Sequence, residues 1–156
     1  MDKEVELRKF LKKYPVIGLD SQIFIYHFEN NPVFRTFTMS LFNLMEQREI
    51  VGVTSILSIL EIIVKPKEKE DTHLVSEYKF LLNTFPNLVV GAVDEDVVDL
   101  AASLKAKYSF ETTIAVQLAT AKLYDAACFI TNNQDLKKIQ EIKVIIISDI
   151  LEKVKD

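Results

Sequence analysis

The sequence predicts a three-layer α/β/α fold, in which helices cover both faces of a central parallel sheet of four to five strands. Short apolar runs, each about the length of a strand, recur along the chain. The segments between them carry apolar residues at spacings of three and four, the period of an amphipathic helix. Apolar strands that alternate with helices are typical of a parallel sheet covered on both faces.

In the first half of the chain, prolines and helical spacing mark the boundaries of the elements. Pro15 ends an N-terminal helix, and residues 30–32 interrupt a later one. Phe34, Phe37 and Leu41 repeat at helical spacing. The predicted elements are helices over 3–13, 21–28 and 33–47, strands over 16–19 and 50–53, and a helix capped by Thr54 or Ser55 that ends at Val64, before Lys65-Pro66.

In the second half, capping residues set the starts of the helices. Asp94 caps one helix, Thr112 or Thr113 caps the next, and Ser148 caps the last. The predicted elements are helices over 72–84, 94–108 and 112–124, strands over 88–90, 127–130 and 144–147, a short helix from residue 134 and a final helix from residue 148.

Length and composition indicate one soluble domain over residues 1–156, in which residues 1–13 form a helical extension. The net charge of -4 and the pI near 5.3 argue against broad, nonspecific binding of polyanions. The single cysteine, Cys128, cannot form an internal disulfide, which favours a reducing compartment. No apolar stretch of about 18 residues lacks charge, and the first residues are not signal-like. We therefore expect a cytoplasmic protein that does not span a membrane.

Polar residues follow two of the predicted strands. Asp20 comes directly after the first strand, and Asn133 follows the strand over 127–130. Open parallel sheets bind ligands beyond the carboxyl ends of their strands, so we expect both residues in one cleft. Glu61 is the only charged residue between Val51 and Val64, and a buried carboxylate must be neutralised, paired or bound to a metal. We expect the side chains of Asp20 and Glu61 to lie within bridging range.

Each acid also has a purely structural interpretation. Asp20 can cap the following helix by accepting from the amide of Gln22 or Ile23. Glu61 can accept a hydrogen bond from Ser58, one turn earlier on its helix, or from a neighbouring amide. Taken alone, neither residue distinguishes structure from function.

Four segments taken in order carry more information than either acid. They are Gly18-Leu-Asp-Ser-Gln-Ile-Phe-Ile-Tyr26, Thr54-Ser-Ile-Leu-Ser-Ile-Leu-Glu61, Thr112-Thr-Ile-Ala-Val-Gln-Leu-Ala-Thr-Ala121 with the preceding Ala101–Tyr108, and Phe129-Ile-Thr-Asn-Asn-Gln-Asp-Leu136. Together they resemble the motifs of the PIN domain family, over roughly residues 14–152. This family includes small metal-dependent ribonucleases, many of them the toxin half of VapBC-type toxin–antitoxin pairs. The resemblance implies that acids hold Mg²⁺ or Mn²⁺ and activate water against an RNA phosphodiester.

The resemblance assigns roles to individual residues. Asp20 and Glu61 match the first two acids, and Thr131 matches a hydroxyl that supports the site. The third acid position is Ile114, which cannot bind a cation, and the fourth is Asn133, an uncharged amide.

Two other acids are close enough in sequence to replace the lost ones. Glu111 precedes Ile114 by three residues and can lean toward the same opening. Asp135 lies two residues after Asn133, and we expect it to cap the short helix instead. Lys137 and Lys138 are candidate phosphate contacts, with a solvent-facing helix as the alternative.

The favoured hypothesis is a PIN-like protein with impaired or absent nuclease activity, in which Mg²⁺ or Mn²⁺ binds weakly or not at all. One alternative is a residually active ribonuclease that uses Asp20, Glu61 and Asn133. Another is a non-catalytic module that binds RNA or an antitoxin-like protein, and a third is a helix-coated structural scaffold that dimerises through its apolar N-terminal half. The resemblance also implies a homodimer.

Overall fold

The computed structural model describes residues 2–154, which form a five-stranded parallel sheet with eight α-helices and one short 3-10 helix around it. None of the helices in this range is long and apolar enough to cross a membrane. In chain order the elements are α1 (Lys3–Leu11), β1 (Val16–Leu19), α2 (Ser21–Phe28), α3 (Arg35–Glu46), β2 (Val51–Ser55), α4 (Ile56–Glu68), α5 (Thr72–Thr84), β3 (Leu88–Gly91), α6 (Glu95–Tyr108), α7 (Thr112–Leu123), β4 (Cys128–Thr131), the 3-10 helix (Gln134–Lys138), β5 (Val144–Ile146) and α8 (Ile147–Lys153).

The strands lie in the order β3-β2-β1-β4-β5, and all neighbours are parallel. The central strand β1 therefore lies between β2 and β4, so Ile17 pairs with Gly52 on one side and with Cys128 on the other. The carboxyl ends of all five strands point to the same edge of the sheet. The predicted parallel α/β/α architecture is confirmed, with five strands.

Alternate residues of β1 face two separate cores. Ile17 and Leu19 are fully buried in the core beneath α1, α2 and α3. Gly18 faces the opposite side, where α7 approaches so closely that an added Cβ would lie 2.6 Å from Ala121 Cβ. Any larger residue at position 18 would push α7 away from the sheet. This close contact fixes the distance of α7 from the sheet near the end of β1.

The N-terminal helix α1 packs on α3 rather than on the sheet. Leu7 and Leu11, one turn apart, are both fully buried in the same core as α3. At the surface, the Arg8 and Lys12 side chains pair with Glu49 at 3.9 Å and 2.6 Å. The predicted helix over 3–13 is thus observed over Lys3–Leu11 and contributes to the core, while residue 1 of the predicted extension lies outside the described residues.

Three predicted helix boundaries are wrong. Helix α4 does not end before Lys65-Pro66 but continues to Glu68, with Pro66 buried inside it. Neither Thr112 nor Thr113 caps α7, whose N-cap residue is Glu111 and makes no side-chain capping bond. Helix α8 begins at Ile147, and Ser148 donates its backbone N–H to Asn132 Oδ1 at 3.0 Å instead of capping the helix. By contrast, Ser55 and Asp94 cap α4 and α6 as predicted, with bonds of 3.1 Å and 3.0 Å.

Candidate functional site

An open cleft lies at the carboxyl ends of β1 and β4, between the starts of α2 and α7 and the middle of α4. The side chains that line it include Asp20, Tyr26, Glu61, Glu111, Ile114 and Asn133. Five of these six residues belong to the set that the sequence singles out. The structure therefore brings together residues from four separate segments of the chain, as the order of strands and helices predicts.

Asp20 caps α2 and is fixed by donors from two elements. Its Oδ1 accepts the backbone N–H of Gln22 at 3.4 Å and the Ser21 hydroxyl at 3.3 Å. Its Oδ2 accepts a shorter bond of 2.6 Å from the Thr131 hydroxyl at the end of β4. Thr131 is fully buried and also accepts the backbone N–H of Asn133. Asp20 thus caps α2 and at the same time lines the cleft.

Glu61 is half-buried and accepts hydrogen bonds from two other helices. Its Oε1 accepts from the Ser21 hydroxyl at 3.2 Å and from the side-chain amide of Gln117. Ser58 is not its partner, because that hydroxyl is hydrogen-bonded to Thr54 at 2.6 Å. The structural interpretation of Glu61 is therefore correct about an amide donor and wrong about Ser58.

Burial raises the pKa of Glu61, and the negative charges of Asp20 and Glu111 raise it further. The hydrogen bonds from Ser21 and Gln117 act in the opposite direction, but they do not cancel the rise. A carboxylate in this environment takes up a proton more readily than a solvent-exposed one.

Ser21 brings the two surviving acids together. Its hydroxyl lies 3.3 Å from Asp20 Oδ1 and 3.2 Å from Glu61 Oε1. A hydroxyl has one proton, so it can donate to only one of the two carboxylates at a time. Asp20 and Glu61 therefore lie within bridging range, as expected from the sequence.

The third motif position places a hydrocarbon in the cleft wall. Ile114 is partly buried and lines the cleft together with Asp20 and Glu61. Glu111, one turn earlier, also lines the cleft, and its side chain makes no capping bond. Glu111 adds negative charge near Glu61 without approaching it closely enough to form a ligand cluster.

The fourth motif position has its carbonyl oxygen occupied. Asn133 Oδ1 accepts the backbone N–H of Asp135 at 3.0 Å and so caps the 3-10 helix. The expectation that Asp135 caps this helix is therefore wrong, since Asn133 does so instead. Asp135 itself is exposed and does not line the cleft.

These contacts test whether the cleft suits a divalent metal ion. Mg²⁺ and Mn²⁺ prefer several hard oxygen ligands. Over residues 2–154 there is no group of three or more His, Cys, Asp or Glu side chains that could hold a metal. Asp20 and Glu61 supply carboxylates, but Ile114 supplies no oxygen and the Asn133 carbonyl is already hydrogen-bonded. This donor set does not fit a resident divalent cation.

Three residues near the cleft were not found from the sequence. Gln117, from α7, is buried and bridges α2 and α4. Tyr26 stacks on Phe34 with ring centroids 4.3 Å apart, and its hydroxyl interacts with Asn132. Of these residues, only Gln117 stands out in the sequence, because it is the one amide within the apolar run of α7.

The two candidate phosphate contacts lie outside the cleft lining. Lys137 forms an ion pair with Asp149 at 2.8 Å. The ammonium of Lys138 lies 5.3 Å from the ring centroid of Phe110. Each lysine side chain therefore already contacts another residue of the protein, Asp149 for Lys137 and Phe110 for Lys138. Among the described residues, the cleft lining contains no Lys or Arg.

A fold of this kind, with acids from separate segments at the carboxyl edge of a parallel sheet, is that of an α/β domain with an acidic cleft. A PIN domain family model matches residues 17–142, so the chain belongs to the PIN domain family. No protein with a curated description is significantly similar to the chain in sequence.

Two solved structures show the same fold. One is described as a toxin–antitoxin complex from Klebsiella pneumoniae, with a TM-score of 0.62 and 20% identity, covering 85% of this chain and 97% of that one. The other is VapBC2 from Rickettsia felis bound to a DNA fragment from its promoter, with a TM-score of 0.66 and 12% identity, covering 84% and 98%. At such low identity the similarity concerns the fold.

Proposed function

We propose that this chain is a VapC-like PIN-domain protein whose metal-dependent ribonuclease activity is impaired or absent. Its Asp20 and Glu61 retain the placement of two catalytic acids, but the cleft lacks the remaining ligands. Binding of Mg²⁺ or Mn²⁺ is correspondingly weak or absent. The protein then acts chiefly by binding a partner.

The presence of Ile114 in the cleft wall carries this proposal. An isoleucine neither ligates a cation nor hydrogen-bonds to its water shell, and it lies beside the two surviving acids. Asn133 is uncharged and its Oδ1 already accepts the backbone N–H of Asp135, so the fourth position compensates only weakly for the lost acid. A metal that lacks these oxygens cannot hold and orient a water molecule for attack on a phosphodiester.

Restoring the two acids tests the proposal. The double variant Ile114→Asp with Asn133→Asp should bind Mn²⁺ in calorimetric titrations and cleave RNA at least about tenfold faster than the native chain. The matched control is Ile114→Asn, which adds a polar group of the same shape without charge and should stay inactive. Robust cleavage by the native chain that a chelator abolishes would contradict the proposal and favour a residual ribonuclease that uses Asp20, Glu61 and Asn133.

The partner that we propose is a protein of the antitoxin type. The two solved structures described above are toxin–antitoxin complexes. Beside the cleft, a groove between α2, α4 and α5 is lined by apolar side chains and by charges of both signs, namely Ile25, Ile62, Pro66, Leu74 and Tyr78 with Glu29, Glu61, Lys65 and Lys69. Glu61 lines both the groove and the cleft. Because Lys65 is paired with Glu29 and the charges are mixed, the groove suits a polypeptide better than a polyanion.

RNA remains the alternative partner, and salt dependence separates the two. An RNA complex should weaken steeply as salt rises, because phosphate contacts release counterions. A largely apolar protein interface should depend much less on salt. The acidic cleft lining and the net charge of -4 favour the protein partner.

We also propose that the protein is a cytoplasmic homodimer. Its buried, unpaired Cys128 suits a reducing compartment. The dimer contact is the α4–α6 apolar face, which we define as Ile56, Leu60 and Val64 of α4 with Val93, which precedes α6, and Val98 in its first turn. Leu60 and Val98 are 51% and 54% exposed, and a groove lined by Leu57, Val93 and Val98 joins the two helices.

A further inference from the structure

Gln117 of α7 joins two segments that carry the acids. We propose that Gln117 takes the place of a cation in this site, holding the start of α2 and Glu61 of α4 together through its side-chain amide. The inference deepens the proposed function, since it concerns the same cleft and explains how the acids are accommodated without metal. It assigns Gln117 a positioning role.

The geometry of Gln117 fixes both ends of the amide. The side chain is only 3% exposed. Its Oε1 accepts the backbone N–H of Ser21 at 3.2 Å, and its Nε2 donates to Glu61 Oε1. The orientation follows from the partners, because the oxygen faces a donor and the nitrogen faces a carboxylate. A buried amide satisfied at both ends is a fixed link rather than a mobile side chain.

The position of Gln117 on α7 relates it to the lost ligand. It follows Ile114 by three residues, so the two side chains lie on the same face of the helix, one turn apart. Its neighbours from Ala115 to Ala121 are all buried. Helix α7 therefore contacts Glu61 through Gln117, one helical turn beyond Ile114. Gln117 contributes a hydrogen-bond donor, whereas an acid at position 114 would contribute a metal ligand.

Clustered carboxylates repel each other unless a cation or donors offset their charge. In this cleft, protein donors satisfy three of the four carboxylate oxygens of the pair. Ser21 and Gln22 serve Asp20 Oδ1, Thr131 serves Asp20 Oδ2, and Ser21 and Gln117 serve Glu61 Oε1. Gln117 links the backbone of α2 to the side chain of α4, and it supplies Glu61 with a donor in place of the positive charge that a shared metal would bring.

Thermal unfolding without RNA tests this role. The native chain should show the same Tm in a chelator and in millimolar Mn²⁺. Gln117→Glu keeps the shape but replaces the donor with a third acid, so its Tm should fall in the chelator and recover in Mn²⁺. The matched control Gln117→Met keeps the length but loses both bonds. Its Tm should fall by on the order of 5 °C, with no recovery in Mn²⁺.

Three outcomes would overturn the inference: a native chain that Mn²⁺ stabilises, a Gln117→Met variant as stable as the native chain, or a Gln117→Glu variant that Mn²⁺ does not rescue. A native chain that Mn²⁺ stabilises overturns the inference even if both variants fail to fold. RNA cleavage by the native chain decides the proposed loss of activity separately. The two ideas can therefore fail independently.

Discussion

The surroundings of Glu61 destabilise the ionised form of its carboxylate. It is partly withdrawn from water, and the charges of Asp20 and Glu111 lie nearby. Its pKa is raised in the fold above its ordinary value of 4.5, so the folded state binds the proton more tightly than the unfolded chain does. Below the ordinary value both states are protonated and the group does not destabilise the fold. As pH rises through the folded pKa, the folded state pays for ionising Glu61.

We therefore predict that Glu61→Gln raises stability at pH 7 relative to the native chain. The amide mimics the protonated acid and can still accept from Ser21 and Gln117 through its oxygen. Urea midpoints measured at pH 7 and near pH 4 should show the advantage at the higher pH and its loss at the lower one. The control is Glu68→Gln on the same helix, where the side chain is exposed. An advantage that is equal at both pH values would contradict this account.

At this scale the sequence predicts where acids converge but not how amides are oriented. Asp20 is found because it ends a strand, and Glu61 because it is a lone charge in an apolar helix. The orientation of Asn133 depends on the backbone N–H of Asp135, a contact set by the turn that follows β4. Gln117 shows its role only when α2 and α4 are placed around it. The partner of Asn133 is local but depends on the conformation of the turn, whereas the partners of Gln117 are distant in sequence.

Among the elements, α1 lies outside the matched family region of residues 17–142 and yet contributes to the core. Its contribution comes from apolar packing on α3, since surface ion pairs such as Lys12 with Glu49 contribute little. Leu7 is fully buried, whereas Val5 on the same helix is 45% exposed. The two residues therefore form a matched pair for measuring whether α1 is docked.

We predict that Leu7→Ala lowers the free energy of unfolding by about 2–5 kcal/mol, because it removes buried methyl groups and leaves a cavity. Val5→Ala should change it by less than about 0.5 kcal/mol. Urea denaturation followed by circular dichroism measures both. Equal stabilities for the two variants would show that α1 does not pack on α3 in solution.

Helix boundaries show where local rules are overridden. A proline normally ends a helix, but Pro66 is buried within α4, and Asp71 donates its N–H to the Pro66 carbonyl after the last turn. Packing of that turn outweighs the missing hydrogen bond. At α8, the cap predicted at Ser148 is replaced by Asn132, which accepts from both the N–H and the hydroxyl of Ser148. Capping by a residue from another loop has no signal in the local sequence.

The whole molecule combines a predictable architecture with an order of strands that needs tertiary information. Alternating strands and helices predict a parallel sheet, and the motif order predicts one cleft. The sequence does not say that β1 lies between β2 and β4, because that order depends on which way each crossover turns. The same arrangement turns Glu61 of α4 into the cleft and leaves the apolar Ile56, Leu60 and Val64 of that helix exposed.

That exposed side leads to a prediction about assembly. The α4–α6 apolar face presents several exposed large apolar side chains on α4 and around the start of α6, and monomeric proteins seldom expose large apolar patches. Light scattering at micromolar concentration should give twice the chain mass of 17.9 kDa for the native protein. The double variant Leu60→Asp with Val98→Asp places two charges on that face and should give the monomer mass. The control Val33→Asp alters a residue that is 68% exposed but lies outside the face, and it should remain a dimer. A native chain that stays monomeric, or a double variant that still dimerises, would show that copies of this chain do not pair through α4 and α6.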